Sequence, residues 1–291
     1  MNKLILVCLT AATLVVSGIT SSQTKATQNQ AEVAINKKQT VRTFLGAVLQ
    51  HNPDRMRELA NADYIQHNPF IPTGLESFIQ LLPVLQQNGT TAENVRMFED
   101  GDYVFMHNIW RNAKPFGADE MVSFDIIRID SDGKVAEHWD AIMPQTPPNP
   151  SGRTLTDGET AIIDLDKTEA NKQQISKWID IRAHGSPKEV GEFREAFFAP
   201  DYKQHNPVAA DGLQGFMVAR KTEQWEFTKL HKVLGEGNFV LSISEGKVRG
   251  KHSVFYDLFR IEKGRVVEHW DVIQAIPATG MANNNGMFGF R

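Results

Sequence analysis

The chain has one cysteine, Cys8. A product processed beyond it would have no thiol, so neither a disulfide nor a cysteine nucleophile is expected, and packing alone must hold each domain. Long apolar runs are equally scarce. The one candidate, Leu4–Val16, is short for a bilayer span. It follows a short positive start and precedes small and polar residues, which is the pattern of a signal peptide over residues 1–22. Cleavage is expected after Ser22 or Ala26. The chain is therefore read as exported, to the periplasm or beyond the cell, with no stable membrane span after processing. An uncleaved anchor is the alternative.

Charge of one sign is also missing. The 31 Lys and Arg stand against 35 Asp and Glu, for a net charge of −4, and no basic block appears. A nucleic-acid partner would demand a basic stripe, so none is expected. There is no P-loop, no Rossmann fingerprint, no Gly-x-Ser-x-Gly elbow and no HExxH pair. The expected partner is a small molecule, with no cofactor and no metal.

What the sequence has is itself, twice. EHWD occurs at Glu137–Asp140 and at Glu268–Asp271. YIQHNPFIPTGLESF (Tyr64–Phe78) matches YKQHNPVAADGLQGF (Tyr202–Phe216) at eight positions in the same spacing. FDIIRIDSDGKVAEHWDAI (Phe124–Ile142) matches YDLFRIEKGRVVEHWDVI (Tyr256–Ile273). A repeat of this length means duplicated domains rather than a solenoid.

Each copy reads as helices followed by strands. Val41, Phe44, Leu45 and Val48 form one stripe of a helix over about Asn36–Gln50. Asn52 with Pro53, and Ser186 with Pro187, start a second helix in either copy. A third begins at Leu75 or Leu213, and Pro83 bends it in the first copy. The remainder alternates as strands. HNP occurs a third time at His51, but that one aligns with HGSP and reads as a helix cap. The expected boundaries are domain 1 over residues 33–145, a linker over 146–164, domain 2 over 165–280 and a tail over 281–291. The tail is left open between disorder and packing of Met287 and Phe288 into the other domain.

Strand alternation sorts the candidate site residues. Asp125 shares a face with Ile127 and Ile129, and Asp257 with Phe259 and Ile261. A carboxylate on an apolar face lining a cavity has a raised pKa and serves as general acid or base; a rim Asp paired with a cation is the alternative. Arg128 and Arg260 point the other way and are poor partners for it. His138 and His269 face the same way as Asp140 and Asp271, whereas Trp139 and Trp270 face away. Ligand binding is one reading of these residues; a structural His with Trp on the core side is the other. In HNP the proline holds the preceding Asn extended, which would set His67 and His205 at a pocket mouth. A capped turn is the alternative. His107 lies on a strand of the first copy and aligns with about Ser242 in the second.

The order helix, helix, QHNP, GL, helix, sheet, ending in D-[IL]-[IF]-R-I and EHWD, resembles the SnoaL-like polyketide cyclase family. That family belongs to the nuclear-transport-factor-2-like superfamily. The resemblance covers about residues 33–145 and 165–280. It implies an α+β fold of two tandem cone-shaped barrels. Each is a curved antiparallel sheet wrapped around three helices, and the two pack as an intrachain pseudo-dimer. Further self-association is left open. It also implies cofactor-free acid–base chemistry, with Asp125 and Asp257 as catalytic carboxylates and His107 as a pocket histidine. Ligand-binding positions are then Tyr64, His67, His138 and Trp139, with Tyr202, His205, His269 and Trp270 as their counterparts. A cyclase, isomerase or hydratase acting on a small, partly apolar carbonyl compound follows. The alternatives are a non-catalytic binding protein of the same fold, and a structural pseudo-dimer with filled pockets. Duplication and export depart from the family's usual single cytoplasmic domain, so the fold does not fix the substrate.

Overall fold

Local chemistry places the helices in this computed structural model, which describes residues 35–290. The proposed signal peptide lies outside the described residues. Helix α1 (Lys37–Leu49) starts where the Asn36 side chain accepts from the Gln39 amide, and it buries Val41, Phe44, Ala47 and Val48. Asn52 caps α2 (Pro53–Leu59), with Pro53 at the first helical position. A strand β1 (Ala60–Gln66) follows, then α3 (Leu75–Ile79) and α4 (Leu82–Asn88). The break between α3 and α4 falls at Pro83, which is in the first turn of α4 and cannot donate to a continuing helix. Strands β2 (Thr91–Asp100), β3 (Tyr103–Arg111), β4 (Glu120–Ile129) and β5 (Val135–Pro144) complete the first domain.

The second domain repeats the order. It has α5 (Thr168–His184), α6 (Pro187–Phe197), β6 (Phe198–Gln204), α7 (Gly212–Glu223), β7 (Glu226–Glu236), β8 (Phe239–Val248), β9 (Lys251–Glu262) and β10 (Arg265–Ala275). Ser186 and Glu189 form a reciprocal capping box at the start of α6.

Each domain is α+β with a five-stranded sheet, ordered β1-β5-β4-β3-β2 in one and β6-β10-β9-β8-β7 in the other. Four strands of each are antiparallel, as expected. The fifth is an addition that strand patterning does not signal: β1 runs parallel to β5, and β6 parallel to β10. ANADYIQ has exposed residues at its centre and no apolar alternation, so tertiary pairing rather than propensity makes it a strand. This strand sets the site, because Gln66 pairs with His138 and Gln204 with His269. The repeated QHNP and EHWD motifs, far apart in sequence, thus lie side by side.

One face of each sheet packs against its own helices. Val41, Phe44, Met56, Tyr64, Leu85 and Ile127 belong to the first interior core, and Ile175, Trp178, Phe216 and Phe259 to the second. The opposite faces pack on one another. Phe105, Phe124, Ile126 and Trp139 from domain 1 share one buried cluster with Leu241, Ile243, Tyr256, Leu258 and Trp270 from domain 2. Reciprocal ion pairs mark the pseudo-twofold relation. Lys38 reaches Glu236 at 2.7 Å, and Lys172, at the equivalent turn of α5, reaches Asp100 at 2.6 Å.

Residues 145–164 contain no strand and no α-helix, but they are not a slack connection. Asn149 donates to Gln204 O at 2.6 Å, Arg153 pairs with Asp211 at 2.8 Å, and Leu155 is buried in the interdomain core. The tail packs as well. Met287 is buried in the same core, and Phe288 stacks on His231.

Candidate functional site

Domain 1 encloses a cavity of about 350 Å³ between its helices and the concave sheet face. Most of its wall is apolar, with Phe44, Val48, Phe78, Leu85, Trp110 and Phe116. One end is polar and carries Tyr64, Asn68, Asn108, Ser123, Asp125, His138 and Asp140. Alternation delivers these residues: Asp125 on β4 is paired with Asp140 on β5, and both point inward.

Asp125 is held from both sides. Its Oδ1 lies 3.0 Å from His138 Nε2, and its Oδ2 accepts from Asn108 Nδ2 at 2.8 Å and from the Ser123 hydroxyl. Trp110 Nε1 donates in turn to Ser123 at 2.9 Å. His138 Nδ1 donates to Gln66 Oε1 at 3.1 Å. The orientation of Gln66 is fixed because its Oε1 also accepts from the Asn68 amide and its Nε2 donates to the Tyr64 hydroxyl. Burial works against a charged His138, but the hydrogen bond with Asp125 and the charges of Asp140 and Asp125 outweigh it and raise its pKa.

Asp140 is different. Asn68 donates to its Oδ2 at 2.8 Å, while its Oδ1 is buried with no hydrogen-bond partner among the described residues. Burial, aided by the neighbouring Asp125 charge against the pull of His138, pushes its pKa up to about 6. The Tyr64 hydroxyl is pushed well above its ordinary value by burial and then by the two carboxylates. It therefore keeps its proton. The polar end thus offers a carboxylate with a free oxygen, a histidine–aspartate pair and a phenolic donor.

Donor atoms of Asp125, His138 and Asp140 lie within 4.8 Å of one another, as do those of Asp257, His269 and Asp271. Such a spacing also suits a bound cation. In both trios the His Nε2 is already engaged with the neighbouring Asp.

Domain 2 repeats the trio in a more crowded interior. His269 Nε2 lies 3.1 Å from Asp257, His269 Nδ1 is 2.8 Å from Gln204 Oε1, and Asn206 donates to Asp271. Around them the interior is filled. Sheet register equates Ser123 with Phe255 and Asn108 with Ser244. Asp257 Oδ2 is consequently left without a partner among the described residues, as is the Ser244 hydroxyl. Register likewise equates Ala92 with Phe227 and Trp110 with Gly246, so aromatic bulk has moved to the neighbouring strand. A side chain at Gly246 would meet Phe255 at 2.9 Å. The matching N-caps at Asn52 and Ser186 equate Val48 with Arg182. The Arg182 guanidinium lies inside, 3.6 Å from the Phe227 ring centroid and near Trp178 and Phe216. An open groove lies at the rim by Asn206, Pro207, Val208 and Trp225.

Several expected positions are elsewhere. His67 and His205 are not at a pocket mouth. They face the interdomain side, where His67 bonds Glu137 at 2.8 Å and lies on Trp139, and His205 bonds Glu268 at 2.9 Å and lies on Trp270. Arg128 and Arg260 complete these pairs, each donating to the second oxygen of the same glutamate. The parallel pairing of β1 with β5 turns the histidine outward and brings its neighbour, Asn68 or Asn206, inward instead. Trp139 and Trp270 are fully buried in the interdomain core and do not line the cavity.

His107 also faces that core. Its Nδ1 accepts from Arg96 Nη1 at 3.1 Å, and the ring abuts Phe124 edge-on. Burial and then the Arg96 charge hold its pKa well below the ordinary value. Its register partner in domain 2 is Ile243, not Ser242, because Tyr103 and Phe239 face equivalent arginines. The inward residue of that strand is Asn108, one position on. Tyr64 does line the cavity, whereas Tyr202 sits in the aromatic interior of domain 2. Asn68, Asn108 and Ser123 join the site unlooked for, and Asp140 enters it beside His138. Asp140 was within reach of the alternation argument, since it shares a face with His138.

Residues 41–138 match the family model described as a SnoaL-like domain. Comparison with curated protein sequences gave no match. Among solved structures, TsrD from Streptomyces laurentii is 21% identical over 36% of this chain and 86% of its own, with a TM-score of 0.32. IdmH from Streptomyces antibioticus, a provisionally assigned polyketide cyclase, is 18% identical over 37% of this chain and 91% of its own, with a TM-score of 0.32. A provisionally assigned ketosteroid isomerase from Kribbella flavida is 15% identical over 39% and 86%, with a TM-score of 0.32.

Proposed function

We propose that the chain is a tandem pair of SnoaL-like domains, the first matching the family model over residues 41–138 and the second repeating its strand order, that domain 1 performs cofactor-free acid–base chemistry on a small, partly apolar carbonyl compound, and that domain 2 serves as its structural partner. One observation carries this reading: the buried Asp140 Oδ1, without a partner, beside the His138–Asp125 pair at the polar end of an apolar cavity. A carboxylate with a pKa near 6 is a competent base near neutral pH. Asp140 Oδ1 takes a proton from the carbon next to the carbonyl. The Tyr64 hydroxyl donates to the oxygen on which charge develops. The proton then returns from Asp140 to a different carbon, which completes an isomerisation, or the enolate carbon adds to a second carbonyl carbon of the same molecule and the oxygen of that carbonyl takes the proton from Asp140, which completes an aldol closure. The His138 charge favours Asp140 in its charged form, against burial and the Asp125 charge.

The test is deuterium exchange. Small enolisable ketones are incubated with the protein in deuterated water and followed by proton NMR. Exchange above background that falls at least a hundredfold in Asp140→Asn supports the reading. Binding without exchange in the wild type returns domain 1 to a non-catalytic binding role. Export through residues 1–22 belongs to the same proposal. N-terminal sequencing of the protein recovered from cell fractions tests it, and an intact Met1 in the cytoplasmic fraction alone would count against it.

A further inference from the structure

The two domains treat the same buried acidic pair differently. In domain 2, Arg182 brings a guanidinium into the interior, seated on Phe227 at 3.6 Å. The charges of Asp257 and Asp271 act on it without a direct ion pair, and Arg182 Nη2 has no hydrogen-bond partner among the described residues. In domain 1 the corresponding residue is Val48, and no Lys or Arg lines the cavity among the described residues. Asp125 and Asp140 remain, 6% and 7% exposed, with one Asp140 oxygen unpartnered. Aromatic surface remains too, in Phe44, Trp110 and Phe116. A cation seated on aromatic faces beside a carboxylate is a favourable arrangement once desolvated, and in each domain a single histidine, His138 or His269, stands against two buried carboxylates. Domain 2 thus contains, as part of its own chain, the kind of group that the domain 1 cavity lacks.

We propose that the domain 1 cavity takes an organic cation, a protonated amine or amidine on an apolar body, whose charged head occupies the place that the Arg182 guanidinium holds in domain 2. The head seats by Asp125, the counterpart of Asp257, and leaves Asp140 Oδ1 free for the proton transfer proposed above. The apolar body lies along Phe44, Leu85 and Phe116. An anionic ligand is excluded by the two carboxylates. The inference names the substrate class of the site already proposed and rests on domain 1 being the binding domain, but not on catalysis.

The test compares three probes of one shape: 4-phenylbutylamine, 4-phenylbutanol and 4-phenylbutanoate. Binding to the mature full-length protein is read by calorimetry and thermal shift. The amine is expected to bind at least tenfold more tightly than the alcohol, with no binding of the carboxylate. Asp125→Asn should abolish that preference. Val48→Arg, which supplies the missing guanidinium from within, should lose amine binding while keeping or raising the melting temperature. Arg182 and its surroundings are untouched in both variants. Equal affinity for amine and alcohol overturns the inference, and so does amine binding that survives Val48→Arg. Stabilisation by manganese or zinc alone, with no response to the amine, overturns it in favour of a metal at the trio. Ketone exchange that persists while the amine shows no advantage rejects this inference and leaves the acid–base reading standing.

Discussion

Phe290 lies on Trp139, with ring centroids 4.7 Å apart and planes 14° apart, and His67 covers the other face of the same indole at 4.5 Å. The tail leaves domain 2 and closes over domain 1. Gly286 O meets His67 Nδ1, and Asn283 donates to Asn68 O and Ile71 O. The reverse holds on the other side. The segment leaving domain 1 closes over domain 2, where Thr154 O meets His205 Nδ1 and Asp157 O accepts from Trp270 Nε1. Arg96 then covers the outer face of Trp270 at 4.2 Å, where Phe290 covers Trp139. Each domain is strapped by chain that leaves the other.

Removing residues 278–291 should therefore destabilise domain 1, although the tail follows domain 2 in sequence. The loss of buried Met287 and the Phe290 stack is expected to cost about 3–5 kcal/mol. Urea unfolding followed by tryptophan fluorescence should show a lower midpoint. Phe290→Ala alone should cause a smaller shift in the same direction.

Asp140→Asn should stabilise the protein at pH 7. Burial raises the folded-state pKa of Asp140 from 3.8 to about 6. The stability linked to its proton is full below about pH 4 and is lost as pH rises through about 6. A shift of that size corresponds to roughly 3 kcal/mol. The variant should unfold at higher urea than wild type at pH 7, and at the same urea at pH 4. Loss of function with a gain of stability is the signature of a site that works under strain.

Glu268 should show the opposite dependence. It is fully buried, and the hydrogen bonds from His205 and Arg260 overcome burial to hold its pKa at about 2, below its ordinary 4.5. Its contribution is full above about pH 4.5 and is lost as pH falls through about 2. It amounts to about 3 kcal/mol. Glu268→Gln should lower the melting temperature at pH 7, with the difference from wild type shrinking as pH falls through about 2.

Arg182→Val should destabilise domain 2 by about 2–4 kcal/mol, because it leaves a void beside Trp178 and Phe216 and withdraws a positive charge that acts on Asp257 and Asp271. It also removes the guanidinium packed on Phe227. Urea titration at pH 7 reads the loss, which should be smaller at pH 4, where Asp271, at about 6, is protonated.

Much of this architecture was legible in the sequence, and particular residues show where legibility stopped. The duplication, the capped helices and the inward face of Asp125 follow from spacing and alternation alone. The parallel strand β1 does not, since ANADYIQ carries no strand signal and exists through pairing with β5. Missing it left His67 facing the wrong way, and with it the role of Asn68. His107 misled because a one-residue step along a strand exchanges the two faces of the sheet. The filling of domain 2 was invisible for a different reason. Arg182, Phe255 and Phe227 are ordinary residues in sequence, and their effect appears only where the sheet and α5 bring them together.

The most direct test of the account compares ketone deuterium exchange in three proteins: wild type, Asp140→Asn and Asp271→Asn. The two variants change equivalent residues in the two domains. The account predicts that Asp140→Asn loses exchange at least a hundredfold, while Asp271→Asn retains it within a factor of about two. Equal loss in both, or loss in Asp271→Asn alone, would contradict the placement of the working site in domain 1.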